Sequence, residues 1–250
     1  MQKFEITTGK NTKVGIKTII AGVEGVGKTT LASKFPNPIF IDTEGSTNHF
    51  DVARLPKPVC LEMLYDEIKF VATQDFKTVV IDSIDYAEQI QINDLLQESN
   101  RSNIGAFAFG EGFQLSDQRM AKLMDFMDQE LIQKGINVVL IAHVKPTDFE
   151  DLVVGDKYKR YGMKLGYKTG ARTESIFKEW ADMMLFCTFK TSIVNANDSF
   201  DKSKVRAIGG NERVMYTEHG ATWDAKNRFG LPPVLPIDFE PLKHIFEGRS

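Results

Sequence analysis

Cysteine is nearly absent: Cys60 and Cys187 are the two in 250 residues. Two thiols cannot build the disulfide framework of a small secreted scaffold. Both lie in apolar runs, Pro58-Val-Cys-Leu61 and Leu185-Phe-Cys-Thr188, which predicts buried free thiols in a reducing compartment. Long apolar runs are missing too. None reaches the roughly 20 residues that span a bilayer, and the opening Met1-Gln-Lys-Phe-Glu-Ile6 lacks the apolar centre of a secretory leader. The expectation is a soluble cytoplasmic protein with no membrane partner. A strong charge of one sign is also lacking, since 31 Lys+Arg against 34 Asp+Glu leave a net −3. The molecule as a whole is therefore no polyanion magnet, and any nucleic-acid contact must come from a local patch. His49, His143, His219 and His244 show no metal-ligand spacing with the cysteines, so no zinc site is expected.

What is present is an ordinary globular composition, 42% hydrophobic and 26% charged, on a chain long enough for a sizeable core. Short β-branched runs stand at Thr18–Ala21, Ile39–Asp42, Thr78–Asp82, Asn137–Ala142 and Asp182–Phe189. Each is too apolar to be half-exposed, which predicts a parallel sheet covered by helices on both faces. Leu61, Leu64, Tyr65, Ile68 and Val71 recur at helical spacing, as do Met120, Leu123, Met124, Met127 and Leu131. The fold class is α/β. Residues 14–190 read as one such unit. Beyond them, Gly209-Gly210, Gly230, Pro232, Pro233 and Pro236 mark turns, and Val205–Ile208 and Arg213–Thr217 predict antiparallel strands on the sheet edge. The expectation is one domain over 1–250, with its core at about 14–235.

The sharpest pattern is Gly22-Val23-Glu24-Gly25-Val26-Gly27-Lys28-Thr29, followed by Thr30, a full G-x-x-x-x-G-K-[ST] between a strand and a helix. Its glycines let the backbone curl so that several N–H groups face one anion, and a helix N-terminus adds positive potential. Residues 22–30 are thus the predicted cradle for the phosphates of a nucleoside triphosphate, whose base the loop does not specify. Lys28 would reach the β- and γ-phosphates, and the Thr29 hydroxyl would hold Mg²⁺. Thr78-Val-Val-Ile-Asp82 is an apolar strand ending in a carboxylate, the second expected Mg²⁺ contact. Ile39-Phe-Ile-Asp42-Thr43-Glu44 is another acid-tipped strand. Glu44 is the candidate base that orients the attacking water, and Asp42 reads as a loop-capping carboxylate.

The order P-loop, Phe40-Ile-Asp-Thr-Glu-Gly45, Val79-Val-Ile-Asp-Ser83, Val138-Val-Leu-Ile-Ala-His143 resembles the RecA family of recombinases and ring helicases. The resemblance spans about residues 14–235. It is closest to the short phage-encoded RecA-like ATPases of single-strand annealing and recombination, which would place the protein in the host cytoplasm. It implies a RecA-like P-loop core, with Glu44 as catalytic base, Asp82 as the Walker B aspartate and His143 as the γ-phosphate sensor. It further implies that the stretch after His143 is a DNA loop. Lys157, Lys159, Arg160, Lys164, Lys168 and Arg172 would neutralise phosphates there, and Tyr158, Tyr161 and Tyr167 would stack on bases. The alternative for this stretch is a solvated surface hairpin.

A second loop, Asn100–Phe113, resembles the first DNA loop in position, with Phe107 and Phe109 free to stack on bases, pack on a neighbour or bury beneath the loop. Lys226 and Arg228, two apart in Ala225-Lys-Asn-Arg-Phe-Gly230, resemble the basic pair that reaches the ATP of the next subunit in RecA filaments and DnaB-type rings. The implied partners are single-stranded DNA, further copies of the chain in a ring or filament, and a single-strand binding protein. No N-terminal oligomerisation helix or C-terminal DNA-gating domain is evident, which sets the chain apart from autonomous strand-exchange proteins. Two other readings stay open at this level: a ring helicase or its loader, and a P-loop small-molecule kinase.

Overall fold

The computed structural model describes residues 8–9, 12–150, 155, 157–166, 172–195 and 205–247, with side chains described outside 191–195 and 205–209. Its centre is a run of parallel strands. β1 (Lys17–Gly22) lies between β5 (Asn137–Glu150) and β7 (Met183–Asn195). Beyond β5 come β4 (Thr78–Asp82), β2 (Pro38–Asp42) and the short β3 (Ala53–Arg54), all parallel. Antiparallel strands extend the other side, β8 (Val205–Tyr216) on β7 and β10 (Val234–Pro236) on β8. Two more antiparallel additions branch off this row: β6 (Lys157–Met163) pairs β5, and β9 (Lys226–Asn227) pairs β7.

The β-branched runs form these strands because both faces are buried. Side chains alternate across a strand, and the two hydrophobic clusters divide accordingly. Ile19, Ile41, Ile81 and Leu140 enter one cluster, with α2 (Leu61–Val71), α3 (Ile84–Glu98), α4 (Glu111–Glu130) and α5 (Thr173–Trp180) packed on it. Ile20, Phe40, Val80 and Val139 enter the other, beneath α1 (Lys28–Ala32) and α6 (Lys243–Phe246). The predicted parallel sheet with antiparallel edge strands is what forms.

Several boundaries differ from the sequence expectations. β5 does not stop at Ala142. Past His143 its burial falls away, and it runs on to Glu150 as one arm of a hairpin with β6. The stretch read as a DNA loop, with a surface hairpin as the alternative, therefore forms in part an ordered hairpin. β8 is continuous where two pieces were expected. α3 escaped the periodicity because its inward face carries Glu88 and Gln91 among the apolar residues. The Asn100–Phe113 loop contains two 3₁₀ turns, Ile104–Ala106 and Ala108–Gly110, and ends inside α4. Cys187 is buried as expected, but Cys60 is only half-buried at the start of α2.

Candidate functional site

β1 ends in the Gly22–Thr29 loop, and the neighbouring strand tips converge on it. The register sets Gly22 beside His143 on β5 and beside Cys187 on β7. It also sets Asp42 beside Asp82 on β2 and β4. Gly22 has no room for a side chain, since a Cβ there would collide with the Cys187 carbonyl. Gly25 and Gly27 turn through φ 70° and 103°, the left-handed region that favours glycine. The loop opens into a cleft of about 710 Å³ lined by Gly25, Lys28, Thr29, Glu44, Asp82 and His143 among others. The helix behind it, α1, has only five residues, so attraction for an anion rests on the loop's own N–H groups and on Lys28 more than on a long helix dipole.

Lys28 is buried, and its ammonium donates to the carbonyls of Gly22 and Val23 at 3.0 and 3.1 Å. Burial holds its pKa below the usual lysine value. A partly desolvated ammonium on neutral carbonyls gains strongly from an anionic partner. Across the cleft the Thr29 hydroxyl donates to Asp82 Oδ2 at 2.8 Å. Burial, with Glu44 and Asp42 adding repulsion, pushes the Asp82 carboxyl up to about 6. The described residues contain no cluster of three or more His, Cys, Asp or Glu placed to hold a metal. One carboxylate and one hydroxyl suit Mg²⁺, which takes few protein ligands and completes its shell with water and substrate phosphate.

Asp42 caps its own loop. It accepts from Gly45 N, Thr47 N and Thr47 Oγ1 at 2.6, 2.8 and 2.6 Å. Burial opposes its charge, but these hydrogen bonds win and hold its pKa below the ordinary value. Its neighbour Glu44 stays half-exposed in the cleft, 4.0 Å from His143 Nε2. The other imidazole nitrogen, Nδ1, stands 2.9 Å from Asp85 Oδ2, and the His143 N–H donates to Asp85 Oδ1 at 3.1 Å. Burial works against the Asp85 charge, and the two hydrogen bonds from His143 more than offset it, leaving the carboxyl below its usual pKa. Asp85 thus fixes the ring that faces Glu44. Sequence reading missed Asp85, which lies on the first turn of α3, not at a strand tip.

The basic segment after His143 does not present six free cations. Lys157 and Lys159 stand opposite Glu150 and Asp148 on the ribbon, at 3.4 and 2.5 Å. Lys164 turns to Glu24 in the phosphate loop at 3.1 Å and lines the cleft. Arg160 is the most engaged of the six. It is turned inward onto Asp224 and the Trp223 carbonyl and lies over the Phe149 ring, so it braces the ribbon. Arg172 is exposed beside the start of α5, and Lys168, with Tyr167, lies outside the described residues. Tyr161 packs inward on Phe186, while Tyr158 pairs with Phe149. The two phenylalanines of the other loop separate. Phe107 tucks beneath Arg101, and Phe109 stands fully exposed with a left-handed φ of 50°.

The pair in Ala225–Gly230 lies outside the cleft of its own chain. Lys226 donates to the carbonyls of Lys178 and Glu179 at 3.0 and 2.9 Å, capping the C-terminal end of α5. Arg228 is more exposed and pairs with Asp182 at 2.9 Å. Arg213, on β8, is a cleft residue that sequence reading missed altogether.

No helix among the described residues is long and apolar enough to cross a membrane. A family model described as an AAA domain matches residues 14–229, nearly the stretch read as the core from sequence. No curated protein matches the chain.

Proposed function

The chain belongs to the AAA-domain family of P-loop ATPases, proteins that bind and hydrolyse nucleotide, and from that premise we propose that it couples ATP hydrolysis at Lys28 and Glu44 to single-stranded DNA held by the β5–β6 hairpin. The observation that carries this reading is the position of His143. It lies between Glu44 and Asp85, at the residue where β5 leaves the sheet to become the hairpin. Its carbonyl accepts from the Lys164 N–H at 2.8 Å, so both hairpin arms meet at the sensor.

In this reading Lys28 exchanges two loop carbonyls for phosphate oxygens. Glu44 orients a water in line with the terminal phosphate and takes its proton. Thr29 and Asp82 hold the Mg²⁺, which, when bound, neutralises charge on the phosphate oxygens. His143, fixed by Asp85, carries the state of Glu44 into the hairpin. The RecA-like character and the phage-type recombination or annealing role belong to this proposal, as does assembly with further copies, in which Arg228 would supply the charge in trans. Lys226 is already engaged as a helix cap.

Cross-strand ion pairs on the ribbon do not oppose DNA binding. Exposed pairs contribute only about 0–1 kcal/mol each, so Lys157 and Lys159 can exchange Asp148 and Glu150 for phosphates at little cost. The fully exposed Phe109 offers a stacking face. The test is ATP turnover with and without single-stranded DNA. Stimulation supports the reading, and strand displacement would then favour a ring helicase. Turnover indifferent to DNA, or phosphate transfer to a small acceptor, would remove DNA from the account.

A further inference from the structure

The lysines and arginines that line the cleft are Lys28, Lys164 and Arg213, and two of the three have an anionic or carbonyl partner. Lys28 sits on loop carbonyls and Lys164 on Glu24. Arg213 makes no ion pair among the described residues. Its guanidinium lies 5.8 Å from the centre of the Phe189 ring, its register partner on β7. One guanidinium nitrogen stands 3.3 Å from where a Cβ on Gly27 would be, at the edge of the phosphate loop, and the residue lines the same cleft as Lys28 and Thr29. It is also exposed. An aromatic face beneath a guanidinium fixes its plane while leaving its N–H groups free to donate.

The strand order gives direction to this placement. Asp82, His143 and the segment carrying Glu44 belong to β4, β5 and β2, on one side of β1. Arg213 comes from β8, two strands away on the other side. The groups that handle water and metal therefore approach from one wall, and Arg213 approaches from the opposite one.

We propose that Arg213 is a second in-chain phosphate clamp, holding the part of the nucleotide polyphosphate that hydrolysis leaves behind. This rests on the nucleotide site proposed above. Because its contact is with the retained phosphates, Arg213 binds ATP and ADP alike and adds little to the chemical step. It also ties the β7–β8 ribbon to the presence of nucleotide.

The test is a titration of wild type, Arg213→Ala, Arg213→Lys and Lys28→Ala with MgATP, MgADP and adenosine, with kcat and KM measured for ATP. A charge-assisted guanidinium–phosphate contact corresponds to about a tenfold change in affinity. The expected result is that Arg213→Ala weakens MgATP and MgADP about tenfold, raises KM and leaves kcat within about threefold, with partial recovery in Arg213→Lys. Adenosine binding stays unchanged. Equal affinities in wild type and Arg213→Ala would overturn the clamp, as would a loss confined to kcat or a matching loss for adenosine. Failure of wild type itself to retain MgATP, with Lys28→Ala no different, would instead refute the nucleotide site.

Discussion

The parallel centre of the sheet and its antiparallel additions treat charge in opposite ways. In the centre, Asp42 and Asp85 are each held by several short contacts. Asp42 takes hydrogen bonds from Gly45, Ser46 and Thr47, and Asp85 clasps both His143 Nδ1 and its N–H. On the additions, Arg160 and Lys226 brace the structure through several partners, but Lys157, Lys159, Lys164 and Arg213 are exposed, with at most one ion pair each among the described residues. Buried, multiply bonded groups keep a fixed geometry, which chemistry requires. Exposed single pairs exchange partners easily, which recognition and switching require. On the proposed reading, reaction belongs to the strand tips and partner contact to the ribbons.

The contrast can be broken by variants on either side. Asp85→Asn keeps the size of the group but removes the charge that fixes His143. Loss of an orienting carboxylate of this kind costs about 10–100-fold, and we expect a turnover loss of that order with MgATP affinity nearly unchanged. Turnover close to wild type would remove His143 from the working site.

Glu67 sharpens the comparison from the other direction, as a buried acid on α2 with no hydrogen-bond partner among the described residues. Both of its carboxylate oxygens lack a hydrogen bond, and burial pushes its pKa up to about 7. The raised value means the folded state prefers the protonated form. Its contribution to stability is therefore complete below the unfolded pKa of about 4.5 and is lost as pH rises towards 7. Glu67→Gln should stabilise the protein near pH 8 by roughly 1–2 kcal/mol and make no such gain near pH 4. A groove beside Glu67 admits water, which reduces the effect below the full shift. Denaturant unfolding at the two pH values checks this, and equal shifts at both would contradict it.

The smallest effects belong to the ribbon. Lys157→Ala with Lys159→Ala should leave denaturant stability within about 1 kcal/mol of wild type. Affinity for single-stranded DNA should fall severalfold, with a shallower salt dependence. An unchanged salt slope would place DNA elsewhere.

What could be read from sequence follows the same division. Buried parallel strands are continuous apolar runs, so β1, β2 and β4 were legible almost to the residue, and their tips carried Lys28, Glu44 and Asp82 with them. The additions depend on register, which no local pattern states. Nothing in Lys157-Tyr-Lys-Arg160 indicates that Asp148 and Glu150 stand opposite, or that Asp224 draws Arg160 inward. Asp85 reaches His143, and Arg213 reaches Gly27, only because the sheet order brings distant segments to one end of β1. α3 was obscured because polar side chains line its buried face.

The central claim is hydrolysis by Glu44 of a nucleotide gripped at Lys28, and it is tested most directly by comparing wild type with Glu44→Gln in MgATP binding and single-turnover hydrolysis. The account predicts equal retention of ATP and hydrolysis slower by about 10²–10⁴-fold, the usual contribution of a general base. Normal hydrolysis by Glu44→Gln, or no ATP retained by either protein, would contradict it.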